Sequence, residues 1–209
     1  SSYGIKANYF GNPIFENKHE NEKLKENVIA LLPGSRSQEV NKILPEMLKI
    51  VHQFPSYNFI IVKSSNICKS HYDKLIRKNS SKNIFISKEP TLEILGKSKA
   101  AIVTSGTATL EAVKMNVPQV VCYKTSKLNF YLAKVLLKIK YISLVNILLN
   151  KECVKELIQN NLNPKKLSFE LNRLIDSNYS KKMVLDYKKI HDLLYQKNTS
   201  KKIATDILS

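Results

Sequence analysis

The 209-residue chain is poor in glycine, arginine and cysteine, and each shortage removes a class of function. Its five glycines nowhere form G-x-G-x-x-G, so the usual dinucleotide fingerprint is absent. Gly96 to Ser98 reads GKS, but Thr91 stands where a P-loop needs its first glycine, and the tripeptide reads as a helix end. No Asp-x-Asp pair occurs, which removes the usual metal-chelating signature of metal-dependent sugar transferases. Cys68, Cys122 and Cys153 lie far apart without paired metal spacing and read as reduced thiols of a cytosolic protein. His19, His52, His71 and His191 are scattered, so no metal site and no cofactor are expected. No run approaches the roughly 18 consecutive apolar residues of a membrane span. The N-terminal stretch SSYGIKANYFGNP also lacks the basic head and apolar core of a signal peptide.

What is abundant is lysine. The formal charge of +17 comes from 34 basic and 17 acidic residues, and only Arg36, Arg77 and Arg173 among the basic ones are arginines. Such a balance can serve nucleic acid, an anionic membrane surface or anionic substrates. It is also what coding bias in an AT-rich genome produces. Clustered arginines and aromatic stacking motifs are missing, which argues against a nucleic-acid partner.

Apolar, β-branched runs recur at 28–32 (VIALL), 58–62 (NFIIV), 83–86 (NIFI), 100–104 (AAIVT) and 118–123 (PQVVCY). Helix-like segments lie between them at 38–53, 69–79, 90–98 and 107–115, with Pro45 expected to break or restart the first. Continuous apolar strands alternating with amphipathic helices call for a parallel sheet covered on both faces. The expected fold is therefore α/β, a Rossmann-like doubly wound parallel sheet, with C-terminal helices after it. From 127 onward the pattern is mainly helical, apart from an extended apolar piece, YISLVNILL.

Ligands of such sheets bind at the carboxyl ends of strands, where loops lead into helices. Two loops answer that description. In LLPGSRSQEV, Gly34 permits a tight backbone, Ser35 and Ser37 offer hydroxyls, and Arg36 supplies a planar cation suited to phosphate. A competing reading is helix capping, since Ser35 to Gln38 has capping-box spacing. In TSGTATLE, Gly106 lets backbone approach a ligand, free N–H groups near Thr107 favour an anion, and Ser105 and Thr107 add hydroxyls. Glu111, one turn further, can accept hydrogen bonds from a ribose diol or stand as a surface acid near a helix start.

The segments LLPGSRSQEVNKILPEML, SGTATLEAVKMNVPQVVCYK and YISLVNILLNKECVKELIQ, in this order and spacing, resemble the C-terminal half of the lipid A disaccharide synthases. These are two-domain glycosyltransferases of the GT-B architecture, and YFGNP resembles the segment that passes between their domains. The resemblance implies a linker-like segment at 1–24, a nucleotide-sugar donor domain at 25–163 and closing helices at 164–209 that pack on the sheet, on an N-terminal acceptor domain preceding Ser1, or on a partner subunit in a homodimer. It implies transfer of a diacylated glucosamine from UDP to diacylglucosamine 1-phosphate, with inversion, a β-1,6 link and release of UDP. Ser35, Arg36, Gly106 and Thr107 then fall near the diphosphate and Glu111 on the ribose, Gly34 and Ser105 join the same UDP-sugar site, and Asn146, Glu156 and Gln159 line the donor cleft. Arg36 would stabilise the leaving diphosphate, and the general base is expected in the acceptor domain. Asn12 replaces the family's usual histidine and Val145 its usual proline, which alters both loops.

Residues 127–140 place Leu128, Leu132, Val135 and Ile139 on one helix face and Lys127, Lys134 and Lys138 on another. That helix is expected to pack on the sheet, with contact to the cytoplasmic face of an inner membrane as the alternative. Other metal-independent UDP-sugar enzymes of this architecture, a peptidoglycan-precursor transferase or a UDP-sugar epimerase, are the enzymatic alternatives; their loops are expected to be richer in glycine than PGSRSQE. A noncatalytic basic adaptor for membranes or nucleic acid is the alternative from another class.

Overall fold

Strands that must bury both faces need unbroken apolar sequence, and the two central runs supply it. In the computed structural model, which describes residues 8–16, 25–79, 81–126 and 140–208, every residue of β1 (Val28–Leu32) and β4 (Ala100–Thr104) is buried. Around them stand β2 (Asn58–Ile61), β3 (Ile84–Ile86), β5 (Gln119–Tyr123) and β6 (Lys155–Ile158). All pairings are parallel, in the order β3-β2-β1-β4-β5-β6. The expected Rossmann-like doubly wound sheet is thus present, with the strand-order reversal between β1 and β4.

The helices that cover it carry their apolar residues at helical spacing. On α1 (Ser37–Leu48), Val40, Ile43, Leu44 and Met47 are fully buried, the stripe that an i, i+3, i+4, i+7 pattern makes. The break expected at Pro45 does not occur. The helix runs through it to Leu48, because the carbonyl that a proline deprives of its donor belongs to Asn41, an exposed residue. Next come α2 (Lys69–Ile76), α3 (Thr91–Lys97) and α4 (Ala108–Lys114). Gly96 and Lys97 close α3, with Ser98 as its cap, so the GKS tripeptide is a helix end.

YISLVNILL, expected to be extended, is mostly helix: α5 spans Leu144–Leu149. Ser143 Oγ accepts the Asn146 N–H at 3.2 Å and starts it, and left-handed Asn150 at φ 48° ends it. An apolar run of this length fits helix or strand equally, and the caps decide. The expected helix at 127–140 falls at 127–139 outside the described residues.

Three helices lie in the closing stretch: α6 (Pro164–Ile175), α7 (Ser177–Leu194) and α8 (Thr199–Leu208). The helix α6 buries Leu167, Leu171 and Leu174 against the sheet, beside β4, β5 and β6, and α7 packs on α4, α5 and α6. Buried Tyr187 of α7 accepts a hydrogen bond from Gln119 Nε2 at 3.2 Å, and His191 Nε2 donates to the Val113 carbonyl at 3.0 Å. The early chain joins the same layer. Asn12 N–H donates to the Leu194 carbonyl at 3.0 Å, and Phe15 meets His191 edge to face at 5.2 Å. Cys122 and Cys153 are buried and Cys68 is exposed, and all three are free. Burial pushes the Cys153 thiol up to about 12 and raises Cys122 further, as inert core thiols require. Among the described residues no helix is long and apolar enough to cross a membrane.

Candidate functional site

Because Leu31 pairs with Ile102 and Leu32 with Val103, the loops that leave β1 and β4 emerge side by side. They open an approximately 510 Å³ cleft at the carboxyl edge of the sheet. Gly34, Ser35, Arg36, Ser105, Gly106, Thr107 and Glu111 all line it, so the two loops singled out in the sequence share one site. Further lining comes from Glu39, from Lys63, Ser64 and Ser65 after β2, from Thr91 at the start of α3, and from Thr104. Those residues were not anticipated, although the strand-end rule that selected the β1 and β4 loops applies equally to the loop after β2.

The first loop is shaped by an internal anion. Glu39 Oε2 accepts the backbone N–H groups of Ser35 at 3.3 Å and Arg36 at 3.4 Å, so the capping carboxylate is Glu39 and not a partner in the Ser35–Gln38 spacing. Gly34 makes room for it. At φ +115° a Cβ on Gly34 would lie 2.6 Å from Glu39 Oε2. Arg36 stays 82% exposed, with its guanidinium 3.6 Å from Glu39 Oε1. An exposed pair at that distance is worth less than about 1 kcal/mol, so turning Arg36 toward a ligand costs little.

The second loop is held from behind. Ser105 N–H donates to the Cys122 carbonyl at 3.2 Å and its Oγ to the Ile142 carbonyl at 2.7 Å. Gly106 has φ +154° and nothing within 4 Å of where a Cβ would stand, so the backbone there faces open space. Thr107 stands at the N-terminal boundary of α4 without a side-chain cap bond, and the Thr109 hydroxyl closes the turn on the Gly106 carbonyl at 2.7 Å.

Asn146, Glu156 and Gln159 do not line this cleft among the described residues. Asn146 is fully buried and all its polar capacity is used. Its Oδ1 accepts the N–H groups of Cys153 and Val154 at 2.8 and 2.9 Å, while Nδ2 donates to the Val154 carbonyl and to Glu156 Oε1. Glu156 also accepts the N–H groups of Ile142 and Ser143 at 3.0 and 2.9 Å. Since Ile142 receives the Ser105 hydroxyl, the chain of contacts runs Asn146, Glu156, Ile142, Ser105 and so to Gly106. These two polar residues brace the loop. Gln159, at φ 52°, accepts the Thr125 N–H at 3.2 Å.

Glu111 is half-buried in the cleft wall, and burial raises its carboxyl above the ordinary range, with Lys114 opposing. The cleft thus offers two cations, Arg36 and Lys63, paired glycine loops, several hydroxyls and two acids: Glu39, engaged by the β1 loop, and Glu111, whose ionised form is costly until it finds donors. No cluster that could hold a metal ion occurs among the described residues.

The family described as lipid-A-disaccharide synthetase matches residues 1–207. A lipid-A-disaccharide synthase of Acinetobacter baylyi is 29% identical over 94% of this chain and 56% of its own. The Coxiella burnetii protein of that name is 34% identical over 80% of this chain and 45% of its own. The chain spans about half the length of these curated relatives. Among solved structures, a point mutant of S. aureus TarM in complex with fondaparinux, alpha-GlcNAc-glycerol and UDP superposes with a TM-score of 0.56 at 13% identity, covering 84% of this chain and 34% of its own. That likeness is one of fold.

Two outcomes follow from the geometry. Asn146→Leu orphans two N–H groups, a carbonyl and a carboxylate contact, and lowers unfolding free energy by about 2–4 kcal/mol in denaturant titration. An unchanged midpoint would show that the brace carries nothing. Glu111→Gln has a pH signature. The folded pKa of Glu111 is raised, so its ionisation opposes folding above that pKa and is without effect below the unfolded value. The variant therefore melts higher than wild type at neutral pH, and the gap closes as pH falls through the carboxylate range. A gap that widens on acidification would reverse the assignment.

Proposed function

The chain belongs to the lipid-A-disaccharide synthetase family, and on that premise we propose that residues 25–163 form the nucleotide-sugar donor domain of a glycosyltransferase, with the cleft between the β1 and β4 loops as the UDP site. The observation that carries the reading is the meeting of PGSR and TSGT around one cavity that also contains Arg36, Lys63 and Glu111. The donor is a UDP-linked diacylglucosamine and the acceptor diacylglucosamine 1-phosphate.

Charge decides the roles. As the glycosidic bond to the diphosphate breaks, negative charge grows on the leaving oxygens. Exposed Arg36 reaches them as a bidentate cation, and the backbone of the Gly106 loop approaches closely because no side chain intervenes. Neutralisation by fixed donors needs no metal. Glu111 accepts hydrogen bonds from the ribose diol, and those donors offset the burial that raises its carboxyl. Direct attack by the acceptor 6-hydroxyl inverts the anomeric centre to the β-1,6 link. The group that takes the hydroxyl proton belongs to an acceptor domain. Ser105 serves the site by holding the Gly106 loop, since its N–H is committed to the Cys122 carbonyl and its hydroxyl to that of Ile142. Asn146 and Glu156 act at one remove, fixing the loop.

UDP binding to this chain tests the reading. The chain is expected to bind UDP in preference to ADP. Arg36→Ala weakens UDP by about 1.5–3 kcal/mol, the range for a charge-assisted hydrogen bond. Glu111→Ala removes the preference for UDP over 2′-deoxy-UDP. Equal binding of UDP and ADP, indifferent to both substitutions and falling steeply with salt, would point instead to nonspecific polyanion attraction.

A further inference from the structure

The last residue of β4 carries a polar atom that the fold leaves unused. Thr104 is 4% exposed and lines the cleft, yet its Oγ1 has no hydrogen-bond partner among the described residues. Its neighbours on the same strand face, Ala100 and Ile102, are fully buried and apolar. Valine has the same β-branched shape and would complete that face without a hydroxyl to satisfy. Burying an unpaired hydroxyl opposes folding, and such exceptions in native proteins call for a cause. The neighbouring hydroxyls serve the fold: that of Ser105 donates to the Ile142 carbonyl and that of Thr109 to the Gly106 carbonyl. Thr104, at the strand end and in the cleft lining, is left without such a partner among the described residues.

We propose that Thr104 is a ligand-contacting residue: its hydroxyl donates to a phosphate oxygen of the nucleoside diphosphate in the cleft. This rests on the reading of the cleft as a nucleotide-sugar donor site. A phosphate oxygen only accepts, and a threonine hydroxyl supplies one donor that can be aimed by rotation about Cα–Cβ. In the free protein the hydroxyl is turned away from water; on binding it rotates to the ligand. The contact therefore discriminates bound from free protein, and the unpaired state opposes folding only until the ligand arrives.

The test compares Thr104→Val, Thr104→Ser and the unaltered chain for binding of UDP and uridine by titration calorimetry, alongside thermal melts without ligand. Thr104→Val is expected to bind UDP about tenfold more weakly, the loss of one hydrogen bond to a charged group. Uridine binding should be unchanged, Thr104→Ser should keep UDP within about threefold, and free Thr104→Val should melt at the wild-type temperature or above. A structural role moves the melt down and spares no ligand. Wild-type binding of UDP with equal binding by Thr104→Val overturns the inference alone, and so does parallel loss of uridine. A folded wild-type chain that binds no UDP contradicts the donor-site reading beneath it.

Discussion

The direct pairing of β1 with β4 is the constraint from which the site follows. Chain connections wind to β2 and β3 on one side of that pair and to β5 and β6 on the other, so among the described residues nothing bridges the two strand ends where the winding reverses. Both strands are buried on both faces, and the register that places Leu31 against Ile102 cannot slip without turning apolar residues out of the core. The crevice between the β1 and β4 loops is thereby as fixed as the core. A family of enzymes can vary what lines it while the scaffold stays the same.

On that scaffold the two loops are made ready in different ways. The β1 loop is ordered by Glu39, whose carboxylate holds the Ser35 and Arg36 N–H groups, and it needs glycine at position 34 for the carboxylate to approach. The β4 loop is ordered from the far side through Ser105, Ile142, Glu156 and Asn146. Neither brace depends on a bound ligand. Preorganisation of this kind means that the two loops stand near their working positions before charge develops, which is when fixed dipoles are most effective. Arg36 is the exception, exposed and weakly paired, and so free to follow the ligand.

Sequence pattern revealed the sheet wherever burial was complete. VIALL and AAIVT were legible to the residue because a strand buried on both faces has no polar interruption. The edge strand β6, KELI, was not anticipated: it is four residues long, mixes charge with apolar side chains and is mostly half-buried. The short helix α5 was mistaken for extended chain since its apolar run carries no periodicity, only caps. At the site, glycine, arginine and hydroxyls at strand ends pointed to the right crevice. Lys63 and Glu39 went unseen because neither carries a motif, and Thr104 was quoted within the loop without a role. What a polar side chain turns toward is a property of packing. Asn146 could have faced a ligand or the backbone on sequence grounds, and it faces the backbone.

The central claim is that one cleft, at the β1–β4 reversal, receives a nucleoside diphosphate. Amide chemical-shift mapping of the isotope-labelled chain titrated with UDP addresses it directly. The account predicts that the amides of Ser35, Arg36, Gly106 and Thr107 move together with one saturation curve, while those around Lys25 and Pro118 at the opposite edge of the sheet stay still. Saturable shifts confined to the opposite edge, or spread over the lysine-rich surface without saturation, would contradict it.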